Sequence, residues 1–288
     1  MEERSRMKKM KQLWKENVWV KVIFIVLISE VMVLSIDGFF ELIGVSYGVS
    51  NLGYMIREIV HKGIPYTILA IVFGTIGTLK HPMKGFFGSL LSGAWILIVA
   101  TLGVCVTANT QFQAGGHLKG IPEIICYALL MLMVGYSEEL LMRGTVTKLL
   151  IDRYGTKGKG MWISILGGSV IFGLWHVGNI LYGQSVDATL QQVVATIMLG
   201  FILNAVYVKR GNLYGVMLLH AVLDFGVDCQ FGIFEGMSIS NMYAMETKTS
   251  FRQVIISQGT YVIAGLVILF TKWLKERKEE KLLMRNVA

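Results

Sequence analysis

The sequence predicts an all-α fold, a polytopic membrane bundle of about eight transmembrane helices, forming a single membrane domain over residues 1–288. Three observations carry this. Of 288 residues, 54% are hydrophobic and only 16% charged, whereas soluble domains carry about 25% charged residues. Mean hydropathy is +0.59, which leaves too little polar sequence to cover a water-exposed surface. The apolar residues also fall in long runs, near 18–36, 64–79, 85–107, 121–147, 161–181, 190–208, 213–234 and 254–273. A membrane-crossing helix needs about 20 such residues. The second run is the shortest and ends before Lys80-His81-Pro82.

Charge placement fits the same architecture. A net charge of +8 is a feature of nucleic-acid-binding proteins, but here the basic residues sit in tails and short loops, so no nucleic-acid partner is expected. Lys and Arg number seven in residues 1–21, two at Lys80 and Lys84, and four in 148–159. Two more are Lys209 and Arg210, and six lie in 272–285. All of these fall on one side if eight spans alternate. The other side has five: Arg57, Lys62, Lys119, Lys248 and Arg252. By the positive-inside rule this predicts a multi-pass protein of the cell membrane with both termini cytoplasmic. Residues 1–17 resemble the basic start of a signal peptide. The apolar run after them is long and shows no small-residue cleavage site, so it is expected as an uncleaved first span. The basic cytoplasmic tails are 1–17 and 274–288. The second is expected as a helix, either drawn to anionic lipid or simply solvated. Cys105, Cys126 and Cys229 are odd in number and lie in apolar runs. They have no disulfide or metal-type spacing and read as small buried residues.

Polar groups inside the apolar runs mark the candidate site, because an ionised side chain at a helix centre costs roughly 2.5–3.5 kcal/mol on insertion scales. Ser137-Glu138-Glu139-Leu140-Leu141-Met142-Arg143 closes the fourth run. Glu138 and Glu139 are neighbours on a helix and point about 100° apart. Arg143 lies four residues after Glu139, the spacing at which side chains on one helical face meet, so it is placed to pair with Glu139. Glu138 then faces elsewhere without a local partner, which suits a general base. A charged collar at the cytoplasmic helix end would equally account for this motif alone. His176 closes Phe172-Gly173-Leu174-Trp175-His176, with Phe172 on its face. It is either an interhelical hydrogen-bonding group or a catalyst. His220 and Asp224 repeat the same spacing in the seventh run, where the carboxylate either orients the imidazole or forms a structural polar pair with it. Counted from the expected span ends, Glu138 and His220 lie within about 10–15 Å of the cytoplasmic boundary and His176 about 22 Å deep. That mismatch requires a later entry of the fifth span or a tilt.

Glu138-Glu139-x-x-x-Arg143, Phe172-x-x-x-His176 and His220-x-x-x-Asp224, in this order on helices, resemble the CPBP family. Its members are the CAAX prenyl endopeptidases of the Ras-converting type and the bacteriocin-processing and immunity proteins. The motif-bearing core runs from about 121 to 234, some two-fifths of the chain. The resemblance implies an intramembrane endopeptidase. In it Glu138 and His176 activate water, Glu139, Arg143 and Phe172 support the site, and His220 with Asp224 stabilises the oxyanion. The family pattern allows Asn or Asp at the last position. An ionised Asp224 cannot donate to an oxyanion, so it is either protonated or orients His220. No cofactor is favoured. Zinc held by Glu138, His176 and His220 is the alternative, but the chain has no HExxH helix.

The expected partners are membrane lipid and a peptide or protein substrate with a membrane-associated tail. In the absence of a lipidation signal that substrate is expected not to be prenylated. Two other functions compete. An ion-coupled transporter would relay protons through the same groups, but such folds show internal repeats and none is visible here. A non-catalytic bacteriocin immunity or scaffold protein would keep the fold without needing all the polar positions. Glu30, midway in the first span, is a minor candidate. Asn204 and Asn179 read as interhelical glue, and Asp228 shares the face of Asp224. Gly167, Gly168 and Gly173 allow close helix approach.

Overall fold

A computed structural model describes residues 16–244 and 249–287. The basic residues Arg4 to Lys15, and Lys248, lie outside the described residues. The described residues form helices joined by short loops, with no strand apart from an isolated bridge between Leu118 and Phe234. Helix α1 (Val18–Leu42) starts where the Asn17 side chain accepts the Trp19 N–H at 3.0 Å. Next come α2 (Asn51–Glu58), capped by Ser50, a π turn at Ile59–Gly63, and α3 (Ile64–Val72). Helices α4 (Phe86–Ser92) and α5 (Ala94–Gln113) meet at Gly93. Helix α6 (Ile121–Leu141) runs through a second π turn, Met142–Thr147, into α7 (Lys148–Tyr154). Helix α8 (Gly158–Trp175) ends in a 3₁₀ segment, His176–Tyr182. The rest are α9 (Val186–Arg210), α10 (Leu213–Val227), α11 (Cys229–Ile233), α12 (Ile239–Ala244) and α13 (Phe251–Val287).

Among the described residues, six helices are long and apolar enough to cross a membrane: Val18–Leu42, Ala94–Gln113, Ile121–Tyr154, Gly158–Tyr182, Val186–Arg210 and Phe251–Met284. Large apolar side chains stay exposed on their outer faces, such as Leu27 and Val31 on α1, Val106 on α5 and Ile263 on α13. Lipid tails, not water, are the medium such a surface suits. The chain is a multi-pass membrane protein.

Two of the eight expected spans take another form. The 64–79 run ends as a helix at Val72 and turns at Gly74 (φ +71°) before a short 3₁₀ piece, Ile76–Leu79. The 213–234 run holds a 15-residue helix, α10, about 22 Å long and so shorter than a hydrocarbon core of about 30 Å. This helix is largely enclosed, packing against α5 and α6, while α9 packs against α8 and α13. Enclosure by protein supplies what lipid contact would demand of a longer helix.

Candidate active site

Helix α6 carries the two glutamates and α10 the last histidine, so the distance between these helices decides whether they meet. Gly135 sets it. A Cβ there would lie 2.5 Å from the Met217 carbonyl oxygen and 3.0 Å from the Ala221 Cβ, so only glycine lets the two backbones touch. One turn further on, Glu138 and Glu139 face His220.

The two carboxylates then divide. Glu139 is completely buried and its Oε1 accepts from two donors, Arg143 Nη1 at 2.7 Å and His220 Nδ1 at 2.7 Å. The Arg143 guanidinium is also completely buried. It lies 4.3 Å from the Phe172 ring centre and donates to the Gly200 carbonyl at 3.4 Å. The i,i+4 pairing read from the sequence is thus present. Glu138 points to the other side. Its Oε1 meets Lys62 Nζ at 3.3 Å and its Oε2 stands 4.0 Å from His220 Nε2. Glu138 has no partner on its own helix, as the spacing implied, but it gains a distant one, Lys62, from the π turn after α2.

Phe172 sits between the two imidazoles. Its ring is edge-on to His176 at 5.1 Å and to His220 at 5.8 Å. His176 is the first residue beyond α8, and its Nδ1 lies 2.9 Å from the Phe172 carbonyl oxygen. A carbonyl only accepts, so Nδ1 carries the hydrogen and the neutral ring keeps its lone pair on Nε2. Glu138 is close enough to His176 to interact electrostatically. Asp224 Oδ2 lies 3.4 Å from His220 Nε2. The carboxylate on Nδ1, the one that orients the ring, is therefore Glu139, and Asp224 borders the reacting side.

The depth mismatch also resolves. Helix α6 does not leave the bundle near 147 but continues through α7 to Tyr154. At about 1.5 Å per residue, Glu138 is about 24 Å of helix from Tyr154, and His176 about 27 Å from Gly158. The two helix lengths are similar, so the longer reach of the Ile121–Tyr154 helix accounts for the mismatch between Glu138 and His176.

Sequence reasoning missed Lys62, Glu58 and Ser137. Lys62 bridges Glu138 and Glu58, the latter at 3.4 Å, and Ser137 donates to Glu58 at 2.5 Å. In the sequence Lys62 counts as a loop charge. The available signal was the i,i+4 spacing of Glu58 and Lys62 after a Ser50 cap. Other polar residues serve packing. Asn204 takes the Thr147 hydroxyl at 3.0 Å and donates to the Ile165 carbonyl and to Ser169, tying α9 to α8 and the second π turn. Asn179 bonds Gln192 at 2.8 Å. A Cβ on Gly173 would strike Ile197 at 2.3 Å, on Gly168 Thr147 at 2.4 Å and on Gly167 Trp19 at 2.5 Å. The Glu30 carboxylate reaches the 3₁₀ segment, since a Cβ on Gly178 would stand 3.0 Å from its Oε2. Asp228 follows the end of α10, its N–H donating to the Asp224 carbonyl.

Among the described residues, no three His, Cys, Asp or Glu side chains gather at a spacing that would hold a metal ion. Glu138, His176 and His220, the zinc set considered from sequence, share one region, but Glu138 is already met by an ammonium.

Residues 120–226 match the family described as type II CAAX prenyl endopeptidase, Rce1-like. The match spans all three motifs and bears out the resemblance they carry. No curated protein and no solved structure matches the chain. The matched segment, under half of the chain, is similar to that of the type II CAAX prenyl endopeptidases.

Proposed function

We propose that the chain is an intramembrane endopeptidase that hydrolyses a peptide bond of a membrane-associated substrate with water activated by Glu138 and His176. The observation that carries this is the split of the adjacent glutamates. Glu139 is held through Oε1 by Arg143 and His220 Nδ1, while Glu138 turns Oε2 toward His220 Nε2 across 4.0 Å. That gap admits one water oxygen within hydrogen-bond reach of both sides.

In the proposed reaction Glu138 Oε2 takes one proton of the water, and His176 Nε2 accepts the hydrogen bond of the other. The water oxygen bonds to the scissile carbonyl carbon, and the carbonyl π electrons move to its oxygen. His220 donates Nε2–H to that oxyanion, held in orientation by Glu139 at Nδ1. Collapse breaks the C–N bond, and the proton on Glu138 passes to the leaving nitrogen. Asp224, 3.4 Å from Nε2, steadies the same ring from the reacting side.

The proposed chemistry is metal-free. Lys62 Nζ at 3.3 Å from Glu138 occupies the flank a dication would need, and like charges there repel. Both termini are proposed to face the cytoplasm, on the loop charge count, with the 64–79 and 213–234 segments still passing from one side to the other.

The test uses purified protein in liposomes and a panel of fluorogenic membrane peptides. Glu138→Gln is expected to lower kcat by about 10²–10⁴-fold, the range for a lost general base. Wild-type activity is expected to survive phenanthroline. Full activity in Glu138→Gln overturns the base assignment. Activity lost to chelator and restored by zinc overturns the metal-free mechanism. A wild type that binds peptides and cleaves none points to the non-catalytic immunity or scaffold function.

A further inference from the structure

The segment from Glu58 to Thr67 makes contact with three consecutive residues of α6, Tyr136, Ser137 and Glu138. Thr67 Oγ1 bonds the Tyr136 hydroxyl at 2.8 Å. Ser137 Oγ donates to Glu58 at 2.5 Å. Lys62 Nζ meets Glu138 Oε1 at 3.3 Å and Glu58 Oε2 at 3.4 Å. A closed circuit results, leaving α6 at Ser137 and returning to it at Glu138. The Lys62 ammonium also stands 5.5 Å from the ring centre of Trp175, the residue before His176. Cation–ring attraction operates within about 6 Å, so this one group touches the segments carrying both halves of the water-activating pair.

The backbone that delivers Lys62 is unusual. Ile59–Gly63 is a π turn, closed by the Ile64 N–H bonding the Ile59 carbonyl. Such turns are rare and recur at functional sites. Nothing in the three family motifs includes this segment, which precedes residue 120, where the family match begins.

We propose that Lys62 is a positioning residue of the hydrolysis: it pins Oε1 of Glu138 and thereby commits Oε2, the oxygen facing His220, to the attacking water. A carboxylate has two chemically equal oxygens and a rotatable stem. Without a fixed partner on one of them, the base would be spread over orientations that do not face the water. The ammonium removes that freedom on one side, and the Glu58–Ser137 link fixes the ammonium in turn. This rests on Glu138 being the base, and the experiment separates the two failures.

Kinetics in liposomes are measured for wild type, Lys62→Met, Lys62→Arg, Lys62→Cys and Glu138→Gln on one cleaved peptide. Lys62→Met is expected to lower kcat by about 10²-fold, the scale of a misplacement of about 1 Å at a reacting centre, with KM within about twofold. Lys62→Arg, which keeps the charge, is expected to fall between the two. Lys62→Cys is then alkylated with 2-bromoethylamine, with wild type treated alongside to account for its own cysteines. Because one folded polypeptide is compared before and after, loss of fold cannot mimic the effect. Alkylation confirmed by mass is expected to raise kcat at least about tenfold, since it restores an ammonium at nearly the lysine length. An unchanged kcat in Lys62→Met overturns the proposal. So does a loss confined to KM, or alkylation without gain. If Glu138→Gln is inactive while Lys62→Met keeps its kcat, only the role of Lys62 falls. If Glu138→Gln is active, the base and its positioning residue fall together.

Discussion

Removing the Glu139–Arg143 pair whole, rather than by halves, separates its structural and chemical parts. Both side chains have zero exposure, at 2.7 Å from one another. Breaking such a pair strands a buried charge and costs about 3–5 kcal/mol. Arg143→Met and Glu139→Leu are each expected to lose that much, so additivity would put the double variant at about 6–10 kcal/mol. The double variant removes both charges of the pair together, and the His220 ring keeps the Asp224 carboxylate beside it at 3.4 Å. The double variant leaves only the His220 Nδ1–H without its acceptor, and a buried unpaired donor costs about 1–3 kcal/mol. A coupling of at least about 3 kcal/mol follows. Unfolding in a detergent–SDS titration, followed by tryptophan fluorescence, measures it. Activity should not return with the fold. With Glu139 gone nothing holds Nδ1, and the double variant is expected to stay at least about 10²-fold down in kcat. A double variant as unstable as the additive sum refutes the self-compensating pair. A stable double variant with wild-type kcat refutes the orientation of His220 by Glu139.

Two further outcomes are expected. Asn204→Leu breaks the buried bonds to Thr147, Ile165 and Ser169. It should cost about 0.6–1.7 kcal/mol in the SDS titration, the range for interhelical bonds in membranes, while kcat of the folded fraction stays unchanged. For orientation, Lys157→Cys and Gln184→Cys sit at opposite ends of the Gly158–Tyr182 span. In intact cells an impermeant maleimide should label Gln184→Cys and spare Lys157→Cys. The reverse pattern inverts the proposed topology.

The sequence made the bundle and most of the site visible because their signals are local. Apolar runs report spans, and i,i+4 spacing reports a shared helical face, which is how the Glu139–Arg143 pair and the His220–Asp224 proximity were legible. Lys62 was not, for a physical reason. Arg57, Glu58, His61 and Lys62 fall between apolar runs and read as a loop, yet they lie on a continuous helical stretch whose π turn feeds the bundle interior. There Lys62 serves as a counter-charge, so one of the five outer-side charges was not a topology signal. The span ends were hidden for a related reason. The second π turn, Met142–Thr147, is wholly buried, so α6 continues as α7 through residues polar enough to look like an exit. The exchange of roles between Glu139 and Asp224 at His220 depends on tertiary contact across α6 and α10, which no spacing rule along one helix can express.

Why the two glutamates must be adjacent follows from the shape of one imidazole. Consecutive helical residues point about 100° apart. Glu139 is thereby turned toward Arg143, whose guanidinium lies over the Phe172 ring, and Glu138 toward Lys62. His220 spans the angle between them, with Nδ1 on Glu139 at 2.7 Å and Nε2 toward Glu138 at 4.0 Å. The ring is rigid, so fixing Nδ1 fixes where Nε2 points. Glu139 therefore acts on the proposed chemistry of Glu138 without touching the water between them. Two residues apart, the carboxylates would diverge by about 160° and no single ring could join them. Gly135 completes the condition, because a methyl group there would push His220 away from both. The site thus depends on one short stretch of α6: a glycine that admits α10, then two carboxylates that the admitted histidine reads from its two nitrogens.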